Sequence, residues 1–259
     1  MNAGVTPAAL ERRDWIAGLQ KGLSIIEAFD AEHDRMTSSQ VGQRCGLTRT
    51  AARRHLLTLT HLGYAQTDGK LYWLSPRALR LGQAYLESAR LPRAVQPYLQ
   101  RVTAGTGETA YAGVLDQQDI VYIARSGPQR SLNIGYVLGS RVQAHVTAAG
   151  LLLLSLLPPP LLAQWLAAAP LRAFSSHTIT DQATLQQVMA QARHQRWYLS
   201  EQQLEVNYRG IAVPIFDHSD ALLGAMSVTM PINNESSEQA VRRVLPVLQE
   251  TARSMRQLL

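Results

Sequence analysis

The chain has 259 residues, 46% of them hydrophobic, enough for two domains with cores of their own. Its formal charge of +6 is unevenly spread: residues 1–93 hold 13 Lys and Arg against 8 Asp and Glu, whereas residues 94–259 hold 12 against 11. A single cysteine, Cys45, excludes an internal disulfide and a Cys-based zinc site.

The charge asymmetry predicts a polyanion-binding head joined to a nearly neutral body with another task. The opening MNAGVTPAALERRDW has no apolar run, so no secretory signal is expected. The greasiest stretch, Ala148–Ala169, is interrupted by Pro158, Pro159 and Pro160. The remaining runs are too short to span the ~30 Å of a bilayer core, so a soluble, cytoplasmic protein without a membrane partner is expected.

In chain order, Trp15–Phe29 carries a helical apolar stripe at Trp15, Ile16, Leu19, Leu23, Ile26 and Phe29. Thr37 or Ser38 can cap a short helix, Ser39–Cys45, which Gly46 closes. Thr48 can cap a longer helix reaching about Leu62, with Gly63 as its stop. YAQT-DG-KLYWL then reads as two strands around Asp68-Gly69. Three helices and a hairpin make a winged helix-turn-helix, placed at residues 14–75. A connecting helix is expected at Arg77–Arg90, within a linker at residues 76–92, and it pairs most economically with its copy in a second subunit.

From there to residue 259 the pattern mixes helices with hairpin-linked strands. Helices are expected at Val95–Val102, Thr147–Leu157, Pro160–Leu166, Asp181–Arg193 and Glu235–Leu259. Strands are expected at Glu108–Leu115, Asp119–Arg125, Leu132–Leu138, Trp197–Leu199, Gly210–Phe216 and Leu222–Met230. The fold class is therefore α+β, with helices on the faces of an antiparallel sheet in the domain 93–259.

No Asp or Glu occurs between Arg35 and Thr67, while Arg44, Arg49, Arg53 and Arg54 do. At 100° per residue, Ala52, His55, Leu56, Leu59 and Leu62 fall on one side of the Thr48 helix. Arg49, Thr50, Arg53 and Arg54 fall on the other, within the turns where a recognition helix meets base edges. An arginine there can donate twice to guanine. Ser38, Ser39 and Gln40 sit where the preceding helix would touch the DNA backbone, and Lys70 in the wing suits a phosphate or the minor groove. Double-stranded DNA is thus the expected partner.

No enzymatic signature competes. GTGETA at residues 105–110 fits a dinucleotide fingerprint but follows a helix and enters a strand, the reverse of the required context. No Gly-x-Ser-x-Gly elbow, Walker lysine loop or His-Glu-x-x-His occurs, so no cofactor, metal or catalytic residue is assigned.

Along nearly its whole length the chain resembles the IclR family of bacterial transcription regulators. The head matches in KGLSIIEAFD, MTSSQVGQRCGLTRTAARRHLLTLTHLGY and YWLSPRALRLGQAYL; the body matches in GSRVQAHVTAAG, SEQQLEVNYRGIAVPIFD and GAMSVTMP. RDWIAGLQKGLSIIEAF and LTRTAARRHLLTL look like the branch controlling catabolism of protocatechuate and 4-hydroxybenzoate. The resemblance implies a homodimer or dimer of dimers and a GAF-like C-terminal domain that binds a small effector. It places Ala149 and Gly150 in the pocket wall and Ser227 and Thr229 facing it. Many relatives carry a basic residue directly after the glycine that Gly150 matches; this chain has Leu151.

The implied effector is a small aromatic acid, 4-hydroxybenzoate first and protocatechuate second. Such a ligand needs a flat apolar slot and a donor set for its carboxylate. Arg125 and Arg141 are candidates for a bidentate fork. His145, Thr147 and the N–H groups opening the Thr147 helix are further donors, and Tyr111, Tyr122 and Tyr136 are candidate walls or hydroxyl partners. The alternatives are a regulator of this type sensing a non-aromatic acid, and an enzyme acting on small aromatic acids with a nucleic-acid-binding appendage.

Overall fold

A computed structural model describes residues 11, 13–128 and 136–259. The described residues divide into two compact units, the first ending at Ser88 and the second running Ala89–Leu259.

In the first unit, α1 (Ala17–Glu27), α2 (Ser38–Arg44) and α3 (Arg49–His61) pack above a small antiparallel sheet. Its strands are β1 (Met36–Thr37), β2 (Ala65–Thr67) and β3 (Leu71–Leu74), with β3 in the middle. Ile25, Met36, Val41, Ala52 and Leu56 are fully buried between them, each larger side chain adding roughly 1.5–3 kcal/mol of apolar burial. Thr37 begins α2 with a reciprocal cap: its hydroxyl accepts from Gln40 N–H, and Gln40 Oε1 accepts from Thr37 N–H at 2.8 Å. Gly42 lets α2 meet the turn, since a Cβ there would stand 2.8 Å from the Leu47 carbonyl oxygen. After a 3₁₀ turn at Pro76–Ala78, α4 (Leu79–Ser88) closes the unit.

The apolar stripe of α1 divides in two. Ile25 is buried, and Ile26 and Phe29 pack against it, as the periodicity leads one to expect. Trp15, Ile16, Leu19 and Leu23 are instead exposed, Ile16 and Leu19 by more than 60%. Leu62, expected in the core, is also exposed, because it is the C-cap residue and lies past the last buried turn.

The second unit is built on a six-stranded, wholly antiparallel sheet. Its strands are β4 (Thr109–Asp116), β5 (Asp119–Ser126), β6 (Arg141–Gln143), β7 (Tyr198–Glu201), β8 (Tyr208–Phe216) and β9 (Leu222–Pro231), in the order β6-β5-β4-β9-β8-β7. On one face, α5 (Arg90–Thr106) and α9 (Ser237–Arg256) cover Ala110, Ile211, Met226 and Val228. On the other, α6 (Ala148–Leu156) covers Tyr111, Ala212 and Ala225, with α8 (Gln182–Gln195) packed on α6. The remaining helix, α7 (Pro159–Ala168), contributes Trp165 and Leu166 to that second core. Among the described residues, no helix is long and apolar enough to cross a membrane.

The strand expected at Leu132–Leu138 falls largely outside the described residues, and residues 136–138 are not strand. The three-residue β6, too short and polar to show in the periodicity, pairs with β5 instead.

Candidate functional site

The first unit brings one surface together. Arg49, Thr50, Arg53 and Arg54 are all exposed on α3, whose opposite side buries Ala52, Leu56 and Leu59. Thr48 caps α3 by accepting from Ala51 N–H. The wing turn is held by Asp68, whose Oδ1 accepts from the N–H groups of Lys70 and Leu71, leaving Lys70 exposed at the tip. Those bonds hold the Asp68 carboxyl below the usual carboxylate range. Ser39 and Gln40 are exposed, but Ser38 is buried, because it opens α2 against the core and turns its side chain from the surface. Arg35, singled out in the sequence only as part of the basic run, lies over the Trp73 ring at 4.3 Å, beside the wing.

The second unit contains a cavity of about 290 Å³ between the sheet and the N-terminus of α6. That is room for a small monocyclic ligand. Its floor is made by strand alternation: Ser227 and Thr229 of β9 and Gly210 of β8 face it, while Met226, Val228 and Ile211 enter the opposite core. Gly210 permits the close approach of α6, since a Cβ there would stand 3.3 Å from Ala148 Cβ. Thr147 is the N-cap of α6 and accepts from Gly150 N–H at 3.0 Å. The first-turn residues Ala148 and Ala149 line the cavity, so its wall carries the positive end of a helix. Tyr122 and Tyr136 form the side, their rings stacked at 4.8 Å. Burial, then its neighbouring tyrosines, pushes the Tyr122 phenol well above its ordinary value. Burial, then Glu205 and Tyr111, pushes Tyr136 up to about 12. Both are neutral hydroxyls at physiological pH.

Of the residues expected at an effector site, Tyr122, Tyr136, Thr147, Ala149, Ser227 and Thr229 line this cavity. The others stand elsewhere. Arg141 is at the far edge of the sheet, pairing with Asp116 at 2.6 Å and Asp119 at 3.1 Å, so acidic residues of the β4–β5 turn already hold its fork. His145 is buried with Nε2 3.1 Å from the Arg172 carbonyl oxygen, and burial lowers its pKa. Gly150 lies one turn into α6, packed against Ala144 rather than on the wall. Tyr111 and Arg125 are cross-strand partners on the cavity-facing side, Tyr111 lying behind the Tyr122 and Tyr136 rings. Leu151 is buried in the apolar core, so a basic side chain has no counterpart at that position.

Sequence reasoning missed Ser200, Gln203 and Tyr208, which also line the cavity. Strand alternation in β7 and β8 was the available signal for Ser200 and Tyr208, since Ser200 and Gly210 are cross-strand partners on one face; Gln203 lies in the loop after β7, where no periodicity marks it. Arg209 also borders the cavity, but the same alternation sends its side chain to the opposite face. There Nε lies 3.0 Å from Glu201 and Nη2 donates to the Glu235 carbonyl oxygen. The electropositive element on the wall is therefore the helix end.

Comparison with known proteins gives two family matches: the IclR helix-turn-helix domain over residues 18–69, and the bacterial transcriptional regulator IclR C-terminal domain over residues 83–257. The chain is 36% identical over 254 residues to the p-hydroxybenzoate hydroxylase transcriptional activator of Acinetobacter baylyi, covering 96% of this chain and 94% of that protein. It is 33% identical over 254 residues to the Pca operon regulatory protein of the same organism, covering 96% and 91%. The crystal structure of a double mutant of the PobR inducer-binding domain from Acinetobacter, in complex with 3-hydroxybenzoic acid, aligns with TM-score 0.62 and 30% identity. That alignment covers 66% of this chain and all of the other.

Proposed function

Since the chain belongs to the IclR family of bacterial transcriptional regulators, we propose that it is a DNA-binding switch for aromatic-acid catabolism genes, set by a small aromatic carboxylate in the cavity of the second unit. One observation carries the ligand class: the cavity combines a helix N-terminus with a wall of stacked, neutral tyrosine rings. The N–H groups of Ala148 and Ala149, with the hydroxyls of Ser227 and Thr229, suit a carboxylate. The tyrosines suit the face and edge of an aromatic ring. Arg125 is on the same side of the sheet as Tyr111, its cross-strand partner, and is not among the residues lining the cavity. 4-Hydroxybenzoate is the first choice of effector and protocatechuate the second.

Titrating the full chain calorimetrically with both acids tests this reading. Saturable binding is expected, with ligand raising the melting temperature by mass action. Binding of neither acid, alongside intact operator binding, would send the ligand class elsewhere.

DNA recognition is assigned to Arg49, Thr50, Arg53 and Arg54 for the major groove. Ser39 and Gln40 serve the backbone, with Lys70 at the wing. A palindromic operator requires two such heads. The exposed apolar residues Trp15 and Ile16 before α1 and Leu19 and Leu23 on it, with Leu79, Leu81 and Tyr85 on α4, suit a homodimer contact. Replacing Leu19 and Leu23 with aspartate should yield a monomer in sedimentation velocity, with weakened operator binding. A double variant that sediments as wild type does would remove α1 from the interface.

A further inference from the structure

We propose that Glu205 sets the charge that the cavity accepts, admitting aromatic acids with one carboxylate and rejecting those with a second. The inference rests on the reading of the cavity as an aromatic-acid site and names the residue that bounds its ligand class.

The wall is electrically lopsided. Among the described residues, two charged ones line it, Glu205 and Arg209. Arg209 spends its side chain on Glu201 and on the Glu235 carbonyl oxygen, on the other face of the sheet. Glu205 is exposed, and among the described residues its carboxylate enters no ion pair and no hydrogen bond. The segment that carries it is fixed. Gln202 N–H donates to the Tyr208 carbonyl oxygen at 2.8 Å, and Tyr208 N–H donates to the Glu205 carbonyl oxygen at 3.4 Å. The Thr178 hydroxyl donates to the Gln203 carbonyl oxygen at 2.6 Å. Glu205 is therefore a standing part of the wall rather than the tip of a free loop. Its charge also reaches a second lining residue: burial first, then Glu205, pushes the Tyr136 phenol up to about 12.

The α6 N-terminus offers roughly half a positive charge together with N–H donors, which one carboxylate satisfies. A second carboxylate on the same ring finds no such partner. It meets the Glu205 charge instead, and loses water as the ligand enters. A ring hydroxyl, by contrast, can donate to the Glu205 carboxylate. The wall thus complements a monoanion with a neutral or donating substituent.

The test titrates wild type and Glu205→Gln calorimetrically, as full-length proteins, with 4-hydroxybenzoate, terephthalate and 4-nitrobenzoate, and melts both without ligand. Terephthalate and 4-nitrobenzoate have nearly the same shape and differ by one negative charge. Wild type should bind 4-nitrobenzoate about tenfold more tightly than terephthalate, the order of effect of one like-charge contact on a partly solvated wall. Glu205→Gln should close that gap by strengthening terephthalate. It should leave 4-hydroxybenzoate within about fivefold of wild type, because the amide oxygen still accepts. The melting temperature should not move, since no partner of the carboxylate is lost. A gap that persists in the variant, or is absent from wild type, overturns the assignment. Exclusion of both larger acids from both proteins does so too, because shape is then the limit. So does a lowered melting temperature with all three acids weakened alike, which marks Glu205 as a support of the wall. Wild type binding none of the three overturns the cavity reading, and this assignment with it.

Discussion

Replacing Arg53 and Arg54 together with alanine should lower operator affinity by at least about thirtyfold without unfolding the protein, taking about 1–3 kcal/mol for each arginine–base pairing removed. Both side chains are exposed on α3, and among the described residues neither takes part in an ion pair. No internal partner is therefore left unsatisfied. Alanine is also the better helix former, so α3 and its buried face of Ala52, Leu56 and Leu59 stay intact. Anisotropy titrations at several salt concentrations separate the two roles an arginine can have. If a single variant has given up a phosphate, its salt slope falls by about one and all sequences weaken alike. If it has given up a base edge, discrimination relaxes at one operator position with little change in slope. Unaltered affinity in the double variant, with an unchanged melting curve, would remove α3 from the recognition surface.

That surface was legible because each of its parts is local. The cap at Thr48, the stripe of Ala52, Leu56 and Leu59, the basic face and the Asp68-Gly69 turn all follow from spacing within some twenty residues, and the structure places them so. The α1 stripe was legible as a helix but not in its burial. Periodicity reports an apolar face without saying what covers it, and Trp15, Ile16, Leu19 and Leu23 lie outside the core of their own unit.

The cavity was less legible for a physical reason. Its wall gathers side chains from β7, β8, β9, the α6 N-terminus and the segment after β7, and register decides which of them face inward. Looking for a carboxylate fork pointed to Arg141, whose Asp116 and Asp119 partners are visible only once β5 pairs with β6. The helix end at Thr147-Ala148-Ala149 was identifiable from its cap. Its place as the positive element of the wall depends on Leu151 being buried and Arg209 facing away.

The largest effect on the second unit is expected from one methyl group. A Cβ at Gly150 would stand 2.4 Å from the Ala144 carbonyl oxygen, 2.5 Å from Ala144 Cα and 2.6 Å from Thr147 Oγ1. The nearest two are backbone atoms of the 3₁₀ turn Ala144–Val146, which no rotamer change can move. Two effects oppose each other in Gly150→Ala. Helix propensity favours alanine by about 1 kcal/mol, whereas overpacking a closed site costs about 1–3 kcal/mol and more where backbone must shift. The steric effect should win, because α6 can relieve it only by parting from the turn. Val146, Thr147, Ala148 and Ala149 line the cavity from that junction, so the shift deforms the wall that would hold the ligand. Gly150→Ala should therefore melt several degrees below wild type and lose most of the stabilisation that 4-hydroxybenzoate confers. Gly82→Ala is the matched control: it is exposed within α4, where a new Cβ meets nothing within 4 Å. With propensity alone acting, that variant should be neutral or stabilised by up to about 1 kcal/mol. If the two variants melt alike, close packing of α6 on Ala144 is not what shapes the site, and Gly150 would owe its place to something other than the space denied to a side chain.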